Sequence, residues 1–436
     1  MPSPITVKPA DALRGEITVP GDKSISHRAV MFGAMAEGLT RISGFLSGAD
    51  CLATVDCFRR LGVSVDMDER SGSVLVHGLG MRGFAPDRDP VRLYTGNSGT
   101  TTRIISGILA PQPFISELSG DDSVNSRPMK RIIEPLTQMG SRIESLKGNG
   151  CAPLRITGSA LHGITYRSPV ASAQVKSAIL CAGLYAEGAT CVIEPALSRD
   201  HTERMLSAFG ADVTSELTAE GWAAGIRPCS RLDGQDIHVP GDISSAAYFL
   251  TAGAIVPGSE ILLRGVGCNP TRAGILTALG DMGAEITPVS FGNGPEPEAD
   301  LLVRTASLHG TVIGGNMIPT LIDELPVLAV AAAYAAGTTV IRDAAELKVK
   351  ETNRIDTVTE NLRAMGADVT PTEDGLVIRG GKPLHGARIR TYGDHRIAMA
   401  FAVAALAAEG ETVIDNRACV DVSYPGFFDE LTRITE

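Results

Sequence analysis

The chain has 436 residues, about three times a typical domain of roughly 150 residues, so we expect two or more domains. Hydrophobic residues make up 44% and charged residues 20% of the chain, which is ordinary for a globular enzyme and excludes a disordered chain. A net charge of −11 and an aromatic content of 4% argue against a nucleic-acid partner. An anionic ligand would therefore require positive charge that is gathered locally.

Cysteine and histidine spacing does not indicate a metal site. The eight cysteines are scattered without a Cys-x-x-Cys pair, which is typical of reduced thiols. His27, His201 and His395 are not at metal-ligand spacing, and the glycine patterns of nucleotide-binding loops are missing from the sequence. The N-terminus lacks the features of a signal or transit peptide, and apolar runs such as 327–336 are too short to cross a bilayer. We expect a cytoplasmic monomer without metal, cofactor or membrane partner.

Two sequence phrases alternate along the chain as parts of a repeated unit. The first is a run of small apolar residues, a turn and a β-branched strand, and its six copies lie at 29–44, 104–120, 178–195, 247–265, 327–343 and 398–416. The second is a helix that ends at glycine before a strand, with copies at 58–67, 136–145, 206–215, 279–288 and 362–371. Glycine closes helices and β-branched residues favour strands. We predict six units, the sixth completed by a helix at the chain end and a strand from the N-terminus.

The word VPGD occurs at 19–22 and again at 239–242, almost half the chain later. This duplication predicts two domains of three units each. Residues 22–240 would form one domain, and residues 1–21 with 241–436 would form a discontinuous second domain. The two crossovers contain glycine and form a natural hinge, so we expect the active site in an interdomain cleft that opens and closes.

The starts of the small-residue helices combine capping residues with basic side chains. These starts lie at 21–28, 96–103, 172–178, 241–247, 322–326 and 393–399. Helix capping alone explains the Asp, Ser, Thr and Asn residues, but it does not require a Lys or Arg in the same turn. A helix N-terminus binds phosphate or carboxylate readily, so the alternative is an anion site. Full positive charges would be added there by Lys23, Arg28, Arg103, Lys176 and Arg396.

Two carboxylates near these starts each allow two interpretations. On a helix, Lys350 and Arg354 would share one face with Glu351 beside them, either as an exposed ion-pair ladder or as a general acid between cations. Asp323 either caps the following helix or accepts a proton from a hydroxyl group. Spacing alone does not decide between these alternatives. Asp394 is interpreted more simply as the cap of its own helix.

Seven segments, in order along the whole chain, resemble the signature segments of the 5-enolpyruvylshikimate-3-phosphate synthase family (3-phosphoshikimate 1-carboxyvinyltransferases, among the enolpyruvyl transferases). They read GDKSISHRA, GNSGTTTR, NSRPM, SAQVKSA, IDELP, VKETNR and GDHRIAMA. The resemblance implies an α/β fold of two inside-out α/β barrel domains, built from six βαβαββ-type units, three per domain. It also implies transfer of the enolpyruvyl group of phosphoenolpyruvate to the 5-hydroxyl of shikimate 3-phosphate, with release of phosphate, and a target of glyphosate.

The resemblance further implies the site residues, motif by motif. Residues implied at shikimate 3-phosphate are Lys23, Ser24, Arg28, Ser172, Gln174, Arg199, Asp323 and Lys350. Residues implied at phosphoenolpyruvate are Lys23, Gly99, Arg127, Gln174, Arg354 and Arg396. Asp323 is implied as the acceptor of the 5-hydroxyl proton and Glu351 as the acid that protonates the methylene carbon, while Lys23 touches both substrates.

Two positions depart from the family pattern. Val422 stands where many members have a lysine shortly before an aromatic-Pro pair, and Lys176 is the candidate replacement for that charge. Ala173 stands between Ser172 and Gln174 where some members have a second serine.

Two other functions fit part of the pattern. A UDP-N-acetylglucosamine enolpyruvyl transferase would have a Lys-Asn start and a loop cysteine, whereas this chain has Asp22–Lys23–Ser24 and no cysteine between 58 and 150. A non-catalytic anion-binding protein would be weakened by carboxylates such as Asp323 and Glu351 among its cations. Both alternatives are therefore disfavoured.

Overall fold

The computed structural model describes residues 3–68, 71–292 and 294–435. The chain divides into two compact units. We call Gly21–Val239 the continuous unit, and we call the residues up to Pro20 together with those from Pro240 onward the split unit. The chain passes from one unit to the other at Pro20–Gly21 and at Val239–Pro240.

Two strands of the split unit begin the chain, and three repeats of the continuous unit follow. The two strands are β1 (Ile5–Val7) and β2 (Arg14–Ile17). The first repeat contains α1 (Lys23–Met35), β3 (Glu37–Ser43), α2 (Ala49–Arg60), β4 (Ser64–Asp68) and β5 (Ser73–Leu79). The second contains β6 (Val91–Tyr94), α3 (Gly99–Leu109), β7 (Ile115–Ser119), α4 (Asp122–Ser126), α5 (Lys130–Gln138), β8 (Arg142–Ser145) and β9 (Leu154–Thr157). The third contains β10 (Thr165–Arg167), α6 (Ala173–Gly183), β11 (Thr190–Glu194), α7 (His201–Ala208), β12 (Val213–Thr218) and β13 (Gly221–Ile226), and β14 (Asp236–His238) ends the unit.

The split unit continues with three more repeats. The fourth repeat contains α8 (Ile243–Ile255), β15 (Glu260–Gly267), α9 (Gly274–Asp281), β16 (Glu285–Phe291) and β17 (Glu298–Arg304). The fifth contains β18 (Val312–Ile313), α10 (Ile318–Leu321), α11 (Leu325–Tyr334), β19 (Gly337–Ile341), α12 (Arg354–Ala364), β20 (Asp368–Pro371) and β21 (Leu376–Gly380). The sixth contains β22 (Arg388–Ile389), α13 (His395–Leu406), β23 (Thr412–Ile414) and α14 (Phe427–Arg433). Short 3-10 helices span Gly315–Met317, Ala345–Val349 and Ala418–Val422.

Each repeat forms one sheet with a shared strand pattern. The four-stranded sheets formed by the described residues share one pattern, for which β6-β7-β9-β8 is the example. The edge strand β6 runs parallel to β7, and β9 lies between β7 and β8 and is antiparallel to both. In the sheet of the first repeat the parallel edge strand is β14, from the end of the continuous unit. In the sheet of the fourth repeat it is β2, from the N-terminal part of the split unit. Each unit therefore completes its sheets with its own strands. The sixth sheet has the order β1-β23-β22, with Ile5 opposite Ile414. The predicted βαβαββ unit and the N-terminal strand of the sixth repeat are confirmed.

The small-residue helices, here called the core helices, fill the interior of each unit: α1, α3 and α6 in the continuous unit, and α8, α11 and α13 in the split unit. Helix α8 is buried from Ile243 to Ala254, because its apolar residues cover all sides. Small residues let these helices pack closely, since a Cβ on Gly107 of α3 would collide with the carbonyl oxygen of Ala178 in α6. Among the described residues, no single helix is long and apolar enough to cross a membrane; only Gly315–Leu321 and Leu325–Tyr334 pass such a test when counted together, and they are bent by 113°.

The outer helices α2, α5, α7, α9 and α12 each end two residues before a glycine in the left-handed region. The φ angles of these glycines lie between 88° and 98°, at Gly62, Gly140, Gly210, Gly283 and Gly366. A residue with a Cβ is strained in this conformation, whereas glycine is not. The prediction that glycine closes each outer helix is confirmed.

Two glycines near the end of α9 should respond oppositely to alanine. Gly283→Ala forces a Cβ into the left-handed conformation, 3.3 Å from the His309 ring, and should lower the free energy of unfolding by about 1–2 kcal/mol. Gly280→Ala, inside the helix with no heavy atom within 4 Å of the new Cβ, should raise it by about 0.5–1 kcal/mol. Urea unfolding measures both, and equal effects at the two positions would contradict the proposed role of Gly283.

Candidate active site

Most core helices are capped by their own side chains, as predicted. Within the described residues, the capping side chains are Asp22, Ser98, Ser172, Asp242 and Asp394. Helix α11 differs, because its N-cap residue is Glu324 and the side chain of Glu324 makes no capping hydrogen bond with a described residue. Asp323 lies one residue before that cap, so the capping interpretation of Asp323 is wrong. Its carboxylate is instead part of a charged cluster described below.

Two guanidinium groups lie against the start of α3 in the continuous unit. A Cβ added at Gly99 would be 3.0 Å from Nη1 of Arg103 and 3.2 Å from Nη1 of Arg127. Nη2 of Arg127 donates to Oδ1 of Asn97 at 2.9 Å and to Oγ of Ser123 at 3.0 Å, which fixes the side chain. The helix dipole and the two cations together suit this turn to an anion.

Gln174 connects the start of α6 to the start of α3. Its Oε1 accepts a hydrogen bond from Nη1 of Arg103 at 2.5 Å, and its Nε2 donates to Oγ1 of Thr100 at 3.0 Å. Ser172 begins the same helix, and its backbone N–H donates to Oε1 of Glu194 at 2.7 Å. The structure therefore brings Gly99, Gln174 and their basic neighbours to one end of the continuous unit.

Lys23 and Arg28 lie one turn apart on α1 but differ in exposure. The Lys23 ammonium forms an ion pair with Asp50 of α2, and its side chain is 27% exposed. Arg28 is only 2% exposed. Its Nε donates to Oγ1 of Thr202 at 2.6 Å, its Nη1 to the Ser24 carbonyl oxygen at 3.0 Å, and its Nη2 to Oγ of Ser177 at 2.8 Å. Arg28 is therefore held in place by protein groups before any ligand binds.

Arg199 lies half-buried in the segment just before α7. Burial lowers the pKa of Arg28, and the positive charge of Arg199 lowers it further, while the carboxylate of Glu203 opposes both effects. The positive charge of Arg199 therefore lies close enough to affect Arg28.

Lys176 does not add its charge to this surface, contrary to the prediction. Its side chain is 1% exposed, and its Nζ lies 3.0 Å from Oε2 of Glu194 and 2.8 Å from Oε1 of Glu203. Two buried carboxylates therefore neutralise it. Because its charge is enclosed, Lys176 does not replace the lysine that many family members have at the position of Val422.

Three carboxylates surround one buried guanidinium in the split unit. Arg354 is the first residue of α12 and is 1% exposed. Its Nε donates to Oδ2 of Asp394 at 2.8 Å, its Nη2 donates to Oε2 of Glu351 at 2.5 Å, and its Nη1 lies 3.6 Å from Oδ1 of Asp323. Arg354 thus connects the cap of α13 to the two carboxylates that the sequence marked as candidate catalysts.

Asp323 lies among three cations. Nζ of Lys350 donates to its Oδ1 at 3.2 Å, and Nη2 of Arg396 lies 3.9 Å from its Oδ2. Nη1 of Arg396 also donates to the Asp323 carbonyl oxygen at 3.2 Å. With Arg354, these contacts form a cluster of basic groups around one carboxylate, which can bind an anion and accept a proton in the same place.

The predicted helix across KVKETNR is wrong. Ala345–Val349 forms a 3-10 helix, Lys350 is extended, and α12 begins only at Arg354. Lys350 and Arg354 nevertheless both lie near the Asp323 carboxylate. The burial of Arg354 also rules out an exposed ion-pair ladder at this position.

The pKa of Glu351 is strongly shifted. Burial alone would raise it, but the charges of Arg354 and His395 outweigh burial and lower the pKa from 4.5 to about 2. The pKa of Asp394 is also lowered, since Arg354 outweighs the effect of burial there. Glu351 is therefore ionised at neutral pH in the ligand-free chain.

Sequence reasoning missed two carboxylates that hold the site cations. Asp50 pairs with Lys23, and Glu324 accepts a hydrogen bond from Oγ of Ser244 and lies 3.8 Å from Nη1 of Arg396. Glu324 is 1% exposed, and its only signal in the sequence was a second acidic residue in an apolar segment. Asp50 gave no signal, because its partner lies in another helix.

The repeated βαβαββ fold, with cations and carboxylates at helix starts, is the fold of the enolpyruvyl transferases. The family model of EPSP synthase (3-phosphoshikimate 1-carboxyvinyltransferase) matches residues 7–431. The chain belongs to this family.

Relatives and solved structures of this family align with nearly the whole chain. A 3-phosphoshikimate 1-carboxyvinyltransferase of Desulforamulus reducens is 53% identical over 432 residues, which is 99% of each chain. That of Bacillus subtilis is 52% identical over 428 residues, 97% of this chain and 98% of the relative. The solved structure of EPSP synthase from Acinetobacter baumannii is 45% identical and has a TM-score of 0.89, covering 99% of this chain and 98% of the other. The predicted family and fold class are confirmed.

The low pKa of Glu351 predicts a stability change in acid. Its contribution is complete above pH 4.5, the ordinary value, and is lost as the pH falls towards the folded-state value of about 2. Glu351→Gln should therefore show a smaller loss of thermal stability across this range than the unaltered chain. Melting curves from neutral pH to pH about 2 measure this effect. The exposed Glu373→Gln serves as control and should keep the unaltered pH dependence, and equal slopes in all three proteins would contradict the prediction.

Proposed function

We propose that two clusters act on one pair of substrates in the reaction of the EPSP synthase family: the basic groups at the starts of α1, α3 and α6 in the continuous unit, and the groups around Asp323 in the split unit. As a 3-phosphoshikimate 1-carboxyvinyltransferase, the chain transfers the enolpyruvyl group of phosphoenolpyruvate to the 5-hydroxyl of shikimate 3-phosphate and releases phosphate, a step of the shikimate pathway towards chorismate and the aromatic amino acids. The observation that carries the assignment of the chemistry is Asp323 among Lys350, Arg354 and Arg396, with Glu351 on the same Arg354. That arrangement combines anion binding with acid–base groups.

Phosphoenolpyruvate is assigned to cations of both clusters. From the continuous unit, Lys23, Arg127 and Gln174 would bind it beside Gly99, where the missing side chain leaves room next to two guanidinium groups. From the split unit, Arg354 and Arg396 would complete its binding. Guanidinium groups suit its carboxylate and phosphate, since each can donate two parallel hydrogen bonds.

Shikimate 3-phosphate is assigned mainly to the continuous unit. The residues proposed to contact it there are Lys23, Ser24, Arg28, Ser172, Gln174 and Arg199. Support comes from the shared helix starts and from the electrostatic coupling of Arg28 to Arg199. Asp323 and Lys350 of the split unit would reach its 5-hydroxyl. The prediction that both clusters share one closing cleft stays a prediction.

The proposed chemistry is an addition followed by an elimination. Asp323 takes the proton of the 5-hydroxyl while the oxygen attacks C2 of phosphoenolpyruvate, and Glu351 delivers a proton to C3, which gives a tetrahedral intermediate. In the second step C3 returns its proton to Glu351 and C2 loses phosphate, which takes the proton held by Asp323, so the double bond returns and both carboxyl groups regain their starting states. Lys23 and Lys350 would stabilise the negative charge near the reacting oxygens.

Glu351 must gain a proton before it acts as an acid, and its contact with Arg354 suggests how. In the ligand-free chain that guanidinium holds the pKa of Glu351 at about 2. A phosphoenolpyruvate anion bound to Arg354 would compete for the same hydrogen bonds and add negative charge beside Glu351. Both effects raise the pKa of the carboxyl, so substrate binding would itself prepare the acid.

The proposal also covers the partners of the chain, its oligomeric state and its cellular location. The substrates are small molecules, and we propose a cytoplasmic monomer that has no nucleic-acid or membrane partner and is a target of glyphosate. The net charge of −11 supports the exclusion of nucleic acid, because such partners require a basic surface.

The function is tested by mixing the chain with both substrates and measuring phosphate release. We expect release only when phosphoenolpyruvate and shikimate 3-phosphate are both present, and none when UDP-N-acetylglucosamine replaces the latter. Glu351→Gln should lower turnover by about two or more orders of magnitude while both ligands still bind, because the acid is lost. Glu373→Gln is the control, and near-normal turnover of Glu351→Gln would reject its role.

Gly99→Ala tests the assignment of phosphoenolpyruvate to the start of α3. The added Cβ would press on Arg103 and Arg127, whose ends would have to shift by a few tenths of an ångström. We expect KM for phosphoenolpyruvate to rise more than KM for shikimate 3-phosphate, with an unchanged melting temperature because alanine suits a helix. An unchanged KM for phosphoenolpyruvate would contradict the assignment.

A further inference from the structure

A buried ion triad lies behind the residues assigned to shikimate 3-phosphate in the continuous unit. It consists of Lys176, Glu194 and Glu203, with side chains 1%, 1% and 5% exposed. We propose that this triad is a set of positioning residues for the phosphate of shikimate 3-phosphate, which it serves by fixing the groups that contact the ligand. The inference rests on the proposed function of Ser172, Arg28 and Arg199.

Glu194 joins three segments through one carboxylate. Its Oε1 accepts a hydrogen bond from the backbone N–H of Ser172 at 2.7 Å, and its Oε2 accepts one from Oγ of Ser198 at 2.7 Å. The same Oε2 lies 3.0 Å from Nζ of Lys176, which also donates to the Ser198 carbonyl oxygen at 3.3 Å. Glu194 thus fixes the position of the start of α6 and that of Ser198, the residue before Arg199.

Glu203 extends the network to the residues that hold Arg28. It pairs with Lys176 at 2.8 Å, and each member of this pair is adjacent in sequence to a hydroxyl residue that binds Arg28. These hydroxyl residues are Thr202 and Ser177, whose oxygens are 2.6 Å apart and accept from Nε and Nη2 of Arg28. A shift of α7 against α6 would therefore displace Arg28.

The charges of the triad also explain why Lys176 is needed. Burial alone would lower the pKa of Lys176, but Glu203 and Glu194 outweigh burial and raise it, so the ammonium stays charged. Without Lys176, two carboxylates would lie unbalanced behind a site for a phosphate dianion. Buried ion pairs add little stability over apolar residues of similar volume, so their value here is geometry and charge balance.

The side chains assigned to phosphoenolpyruvate have partners outside the triad, including Gln174, which follows Ser172 at the start of α6. Gln174 is held by Arg103 and Thr100, and Arg127 is held by Asn97 and Ser123. A disturbance of the triad should therefore weaken binding of shikimate 3-phosphate and leave that of phosphoenolpyruvate nearly intact. If the triad served stability alone, its disturbance would not weaken the binding of one substrate more than that of the other.

Glu194→Gln tests the proposal, because it keeps the volume and one acceptor but places an amide where Lys176 and Ser198 need an oxygen. We expect KM for shikimate 3-phosphate to rise about ten-fold or more, while kcat and KM for phosphoenolpyruvate stay within about three-fold. Titration of shikimate 3-phosphate alone should show the same loss. The exposed Glu216→Gln is the matched control and should behave as the unaltered chain.

Glu203→Gln is the second variant, should Glu194→Gln fail to fold, and melting curves monitor both. It should raise KM for shikimate 3-phosphate in the same selective way. Unchanged KM values, or equal rises for both substrates, would overturn the positioning role. A chain without alterations that released no phosphate from the two substrates would instead overturn the proposed function itself.

Discussion

Positive charge gathered at the starts of core helices is the constraint on which the rest of the molecule depends. The chain carries a net charge of −11, yet its substrates are anions, so the cations must be concentrated locally. Some of these cations are balanced in the ligand-free chain by a carboxylate, as in Lys23 with Asp50 and Arg396 with Asp323, whereas the hydroxyl groups of Thr202 and Ser177 hold Arg28. On the proposed assignment, ligand anions compete with carboxylates that already belong to the site, and binding would change the electrostatics of the proposed proton-transfer groups.

The repeated fold supplies this arrangement. Small residues let the three core helices of each unit pack closely, and side-chain hydrogen bonds tie their starts together, as between Arg103 and Gln174 in the continuous unit. In the split unit, Ser244 and Arg396 both reach Glu324. One sequence pattern, repeated six times, thus produces several N-terminal turns that face the same end of their own unit.

Coupling between binding and catalysis follows from shared partners. Arg354 contacts Glu351, Asp323 and Asp394, so any anion that engages it alters two candidate proton-transfer groups at once. In the continuous unit a shared carboxylate has the same effect behind the site, because Glu194 connects the start of α6 to the segment of Ser198. Carboxylates in the interior therefore fix the positions of the cations in the candidate site.

By itself, the sequence determined the six repeats, the glycine ends of the outer helices and the caps such as Asp394. These features depend on residues that are neighbours in the chain, so local propensity is enough to predict them. The family resemblance pointed to the site residues in the same way, through local motifs. Only the tertiary structure decided which charges meet. Lys176 was expected at the ligand but is enclosed by Glu194 and Glu203. Lys350 and Arg354 both contact Asp323 without sharing a helix. The physical reason is that charged side chains contact residues far away in the sequence, as Arg28 contacts Thr202. Sequence spacing carries no information about such contacts.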